Sequence, residues 1–366
     1  MLFRSNRNAS IQAAAGALTL NAGDVDNTAG LMAARETFTA RTANLTNAHG
    51  TLGSAGGTAE LITQAFDNTA GTLSAARLSL DTQGQLITNA GGQMVAFGDA
   101  LQVKSGALHN DGGLIQSAQN LTLAATDVSN TGTVYAHGSA AMSASGWMEN
   151  RGVIAAAANT RIDATSFYGT SSSILAAGLA PEGSLGPQGN LNLAISAELI
   201  NSGQILSGGD QILRATQIDL SGAQIGGRTI AITADTADLT LSGATVSARS
   251  ALDIKAAATV RTDRAQVSAD QLYLSAHDLS NRQGQILQLG AGDLTLQLPG
   301  TLDNRDGRIA TNSRNVSIAA NTLDTTAGTL QHAGAGTFNL SADTLTAAGA
   351  TLQSNGTLDL LAQRLS

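Results

Sequence analysis

Apolar and polar residues along the chain alternate in short runs separated by small or turn-forming residues. Leu18-Thr19-Leu20, Leu78-Ser79-Leu80, Leu121-Thr122-Leu123, Ile230-Ala231-Ile232, Leu252-Asp253-Ile254 and Val316-Ser317-Ile318 each place apolar side chains on one face of a short extended segment. Alternation with a period of two in such short runs predicts strands with one buried face. Two further apolar marks accompany each run. One stands two residues before an asparagine and the other follows a glycine, as in Phe66-Asp67-Asn68 and Gly71-Thr72-Leu73. Between these marks there is no room for a helix of roughly ten residues or more, and the apolar positions lack helical spacing.

The marks recur at a nearly fixed interval. Asn27, Asn47, Asn68, Asn89, Asn110, Asn130 and Asn150 are separated by 20, 21, 21, 21, 20 and 20 residues, a period that signals a stacked solenoid. Gly30, Gly50, Gly71, Gly92 and Gly113 follow the first five of them at a constant offset. Three short strands per period, with sharp corners between them, describe one coil of an all-β parallel β-helix. Successive coils pair edge to edge and each advances the axis by roughly 4.8 Å, so about seventeen coils would form a rod on the order of 80 Å long. Asparagine at a corner has two physical uses. It tolerates left-handed backbone and bonds nearby backbone groups, and stacked from coil to coil its amide builds a ladder; the sequence leaves both open.

Residues 1–10 form an uncertain terminus. Leu2-Phe3-Arg4-Ser5 is also what a common sequencing-adapter text encodes, so Met1 to Ser5 are read as an artefact of assembly. Repeats are expected over 11–166 and again, loosened, over 190–366, with no domain boundary between them. In the second stretch Asn201, Asn281 and Asn304 keep the corner residue, Ser221, Ser242, Thr262, Thr325 and Ala347 replace it, and Ala244, Ala265 and Ala350 stand in for glycine. The segment 167–189 lacks the signature, is rich in Gly, Ser and Ala, and holds Pro181 and Pro187. It predicts a loop leaving the coil at a corner. Tyr168, Ile174, Leu175 and Leu179 make this loop the candidate partner contact, against the plainer reading that it packs on the coils. No cap is visible at either end, so the chain reads as a segment of a longer one.

Composition narrows the function classes. With 41 Gly against 3 Pro, the glycines are periodic turn residues and not a disordered linker. The formal charge is −8, the only lysines are Lys104 and Lys255, and there is no basic run, so neither nucleic acid nor an anionic membrane is an expected partner. Cysteine is absent, which excludes disulfides and thiolate chemistry. No apolar stretch reaches the roughly 18 residues of a membrane-spanning helix, and no signal-peptide core follows Arg4 and Arg7. The chain is therefore either cytosolic or an internal piece of an exported protein.

Catalytic chemistry finds little support. Asp163, Asp219, Asp253, Asp303, Asp324 and Asp359 fall at outward strand positions in different coils, and Arg261-Thr262-Asp263-Arg264 and Asn304-Arg305-Asp306-Gly307-Arg308 read as solvated corners of mixed charge. His49, His109, His137, His277 and His332 are scattered without metal-ligand spacing. No phosphate-binding, nucleophile-elbow or calcium-repeat motif occurs, so no cofactor and no metal is expected. Trp147 and Met148 read as core. A carbohydrate-active β-helix enzyme, the alternative of another class, would need clustered carboxylates and aromatic platforms.

The phrase apolar-x-Asn-x-x-Gly-x-apolar, followed by Leu-x-Leu-x-Ala, resembles the repeat region of filamentous haemagglutinin proteins, the exoproteins of bacterial two-partner secretion that include contact-dependent inhibition effectors. The resemblance covers the chain apart from its start and 167–189. It implies a right-handed β-helical stalk, secreted or held at the bacterial surface, exported through an outer-membrane partner pore and used in adhesion or in carrying a toxin tip. A host or bacterial receptor or glycan is the partner it implies. Neither the family's secretion domain nor a toxin domain is recognisable, and there is no Arg-Gly-Asp triplet, so direct receptor binding by this segment does not follow.

Overall fold

The computed structural model describes residues 5–366. Met1 to Arg4, on which the reading of an artefactual start chiefly rests, lie outside the described residues. Ser5 already bridges Asp26, and Asn6 is buried in the first coil, so the repeat begins earlier than residue 11.

All regular structure among the described residues is β-strand, in parallel pairs that build a solenoid of about seventeen turns. Two compact units are distinguished along the chain, one ending at Leu191 and the other starting at Asn192.

In the first unit each coil stacks its inward residues on those of the next. One side carries Leu52, Leu73, Met94, Ile115, Val134, Ile154 and Leu175 in register. Another carries Val25, Leu45, Phe66, Ile87, Leu108, Val128, Met148 and Phe167. The third carries Phe38, Ala59, Leu78, Leu101 and Leu121. Exposure of these side chains is 2% or less, and burying each large one contributes about 1.5–3 kcal/mol. Because side chains alternate along a strand, the Leu-x-Leu phrase is what turns each strand's apolar edge inward.

The second unit repeats the plan with the column Ile205, Ile225, Val246, Val267, Ile286, Ile309 and Leu330. Its strands are longer. Gln224–Ala234 and Thr245–Ala256 run through one corner and join two sides, while Leu294–Asp303 and Val316–Asp324 run through another. Such corners are irregularities within a strand, marked by register shifts at Gly227/Thr229, Ala248/Ala251 and Leu298/Thr301. In the first unit Ala140–Asn150 does the same, shifting between Ala144 and Trp147. That shift puts Trp147 at the surface, 38% exposed, while Met148 stays in the core; only the second of the pair meets the expectation for both.

The excursion is narrower than 167–189. Thr160–Gly169 is one strand, whose Phe167 lies in the core column, and Ile174–Ala177 pairs with Val153–Ala156 as an ordinary coil side. The chain leaves the coils only between Gly178 and Asn190. There Leu179 and Leu185 form an antiparallel bridge and the Tyr135 hydroxyl donates to the Leu179 carbonyl at 2.9 Å.

Candidate functional site

Each corner is built around its asparagine. The amide of Asn27 donates to Oδ1 of Asn47 at 2.7 Å, Asn47 to Asn68 at 2.8 Å, Asn68 to Asn89 at 2.8 Å, and Asn89 to Asn110 at 2.8 Å. Asn110 continues to Asn130 at 2.7 Å and Asn130 to Asn150 at 2.8 Å, and Asn6 starts the series at 2.7 Å from Asn27. Each amide also reaches backbone carbonyls, as Asn27 does to Gly30 and Thr51 at 3.2 Å. These side chains are buried and satisfied, the arrangement that keeps an interior polar group from costing stability.

The left-handed backbone conformation does not fall on asparagine. It falls two residues later, at Ala29 (φ 52°), His49 (φ 55°), Ala70 (φ 51°), Gly91 (φ 60°) and Gly112 (φ 64°). The corner residue thus combines the ladder with bonds to nearby backbone, while the left-handed conformation is carried by its neighbour.

Glycine serves close approach. A Cβ on Gly71 would lie 2.1 Å from the Asn47 carbonyl oxygen and 2.7 Å from Asn68 Oδ1, and Gly30, Gly50, Gly92 and Gly113 are crowded in the same way. In the second unit the corner position belongs to Leu220 and Leu241, not Ser221 and Ser242. Both leucines are fully buried, each precedes a left-handed glycine by two residues (Gly222, Gly243), and their carbonyls accept from Ala223 and Ala244 at 3.1 and 2.9 Å. Alanine replaces glycine beside both leucines, and Ala265 does so beside Thr262. Thr262, Asn281, Asn304 and Thr325 then resume the polar ladder, with contacts of 2.9, 2.7 and 3.2 Å. Asn201 is likewise buried.

The corners of the second unit also assemble what the sequence showed only as separate charge knots. Ser242, Asp263, Arg282 and Arg305 directly follow the corner residues of four successive coils, and Gly243, Arg264, Gln283 and Asp306 come next. Together they line a groove of about 590 Å³. Asp303 lies beneath it at 2.6 Å from Arg282 and 2.7 Å from Arg305, its side chain only 11% exposed. Burial alone would raise this carboxyl's pKa; hydrogen bonds and charge from Arg305 and Arg282 outweigh it and bring it to about 2. The outward strand position expected for Asp303 is therefore a covered one.

Asp263 Oδ1 accepts from Ser280 Oγ at 2.7 Å and from the Arg282 amide at 2.8 Å, pinning the next tip. Arg264 donates through Nε to Gln283 at 3.1 Å and makes no ion pair among the described residues. Arg282 and Gln283 were not singled out from the sequence. Aligning the corners by the repeat period, and not by local charge, would have placed them in this column.

The proposed contact residues of the excursion do not gather into a patch. Leu175 is fully buried, Ile174 and Tyr168 lie half-buried on strands of two different sides, and only Leu179 belongs to the excursion itself. Burial, with a smaller effect of the Glu182 charge, raises the pKa of Tyr135 beneath it. Ala155 and Ala176 beside Tyr135 in register are fully buried, as expected where a segment packs back on the coil surface. Among the described residues no group of three or more His, Asp or Glu could hold a metal ion, and no helix is long and apolar enough to cross a membrane.

The haemagglutinin-repeat family model matches residues 13–87, 86–138, 120–180, 178–243, 226–290 and 289–362. A relative from Yersinia pestis, described as toxin CdiA, is 35% identical over 219 residues. That match covers 60% of this chain and 6% of the relative. No solved structure matches the chain.

Proposed function

The chain belongs to the haemagglutinin-repeat family, and from that membership we propose that it is a stalk segment of a large exported bacterial exoprotein. In this reading an outer-membrane partner pore carries the protein out and the coils present its active portions at the bacterial surface or in the medium. The observation that carries the reading is the corner ladder. Coil after coil from Asn6 to Asn150 uses its polar corner residue to bind the next coil, an arrangement suited to length and not to turnover. Attachment to host cells or neighbouring bacteria is the role we assign to the stalk, through shallow contacts repeated along it. A non-enzymatic role accords with this use of the polar residues.

The similarity to a protein described as a toxin favours a second reading, in which the stalk holds a growth-inhibiting portion away from the cell. One experiment separates them. In the producing bacterium, removing residues 13–362 in frame should leave export intact and reduce attachment. Unchanged attachment with lost inhibition of neighbours would assign the toxin-delivery stalk, and loss of neither would refute both readings.

A further inference from the structure

We propose that the groove across the coil tips at Ser242, Arg264, Arg282 and Arg305 binds the carboxylate of an acidic saccharide. Three guanidinium groups line it beside the carboxylates of Asp263 and Asp306, in a chain whose formal charge is −8. Arg282 and Arg305 share the carboxylate of Asp303, which occupies one edge of each fork, and Arg305 Nε also lies 3.6 Å from Asp324 Oδ2. The remaining N–H groups have no hydrogen-bond partner among the described residues. Arg264 is exposed, and its Nε bond to Gln283 turns it along the column.

A guanidinium fork matches the two oxygens of a carboxylate, and charge-assisted bonds of this kind are the stronger class. Gln283, exposed on the same tips, supplies an acceptor for a sugar hydroxyl, and Gly243 leaves one end of the groove without a side chain. No aromatic ring lines it, so a single sugar would bind weakly. Presentation of many acidic sugars on one surface would compensate.

The test uses the whole chain immobilised on a sensor, with 3′-sialyllactose, lactose and sulfated lactose each coupled at high valency to albumin. The sialyllactose conjugate should bind and the lactose conjugate should not, with binding lost at about 0.5 M salt. Arg264→Ala should weaken binding about tenfold, the worth of one charge-assisted hydrogen bond. Asp306→Ala, which removes a negative charge, should leave it unchanged or strengthen it. Melting curves matching that of the unaltered chain exclude misfolding in either variant.

Equal binding of lactose, equal binding of sulfated lactose, full binding by Arg264→Ala, weakened binding by Asp306→Ala, or no binding by any conjugate would each overturn the assignment. Because export and attachment of the exoprotein are measured separately, failure here leaves the stalk reading standing.

Discussion

The side-chain amide of Asn68 donates to Oδ1 of Asn89 at 2.8 Å, and both residues are completely buried. The same bond, in the same direction, joins every coil from Asn6 to Asn150. Each internal member is therefore an acceptor for the coil before it and a donor to the coil after it.

Replacing Asn68 by alanine breaks both connections at once. The Asn47 amide loses its shortest bond, keeping those to the Gly50 and Thr72 carbonyls, and the Asn89 side-chain carbonyl loses its donor, in a place water does not reach. Leaving one buried acceptor unpaired and one amide short of a bond costs about 1–3 kcal/mol. The urea midpoint of Asn68→Ala should fall accordingly. Asn68→Asp should do no better, since its second oxygen would face the Asn89 oxygen. An unchanged midpoint for the alanine variant would show that the ladder contributes nothing.

Glycine at the same corner makes a contrasting prediction. A Cβ on Gly71 meets a backbone oxygen at 2.1 Å, so Gly71→Ala must push two coils apart and should cost about 3 kcal/mol, in the range of strained overpacking. Ala244, beside Leu241, already occupies the equivalent position. Ala244→Gly should lose only about 1 kcal/mol through its buried methyl group and added backbone freedom. Paired thermal melts decide the matter, and equal losses would show that the corner residue does not govern the choice.

How much of this was legible in the sequence depended on whether a feature repeats. Strands, coil period and the inward face of Leu121 follow from alternation and spacing, because every coil obeys the same steric rule. The role of Asn68 could be narrowed only to two uses, bonding its own backbone or its neighbour's side chain, because one coil's sequence is the same in both cases; stacked coils let the amide do both. Leu220 and Leu241 were hidden because an apolar corner residue looks like one more strand residue, which drew the reading one position along to Ser221 and Ser242. The groove was invisible for another reason: Arg264, Arg282 and Arg305 become neighbours only after three coils have stacked. The division after Leu191 leaves no mark in a repeat that continues on both sides.

Asp303 gives stability a pH dependence whose sign is fixed by its partners. Its folded pKa of about 2 lies below the ordinary 3.8, so the folded state favours the carboxylate. That contribution is complete above pH 4 or so and disappears as pH falls from about 4 to 2; its size is about 2 kcal/mol. Asp303→Asn should be less stable than the unaltered chain at pH 7, and the difference should shrink toward pH 2. A difference constant from pH 7 to pH 2 would mean that Arg282 and Arg305 do not hold the charge.

The register of the coils can be tested at two adjacent residues. Leu121 is fully buried, stacked between Leu101 and Ala140, and Thr122 beside it is exposed. Because successive side chains of a strand point to opposite faces, a slip of one residue would exchange their environments. Leu121→Asp puts a carboxylate into the apolar column with no partner and should cost several kcal/mol, about 4 or more. Thr122→Asp puts the same group into solvent and should change stability by no more than about 0.5 kcal/mol. Urea unfolding of the two variants therefore reads the strand's facing directly. The reverse order of stability would place Thr122 inside and require every column on that side of the coil to be redrawn.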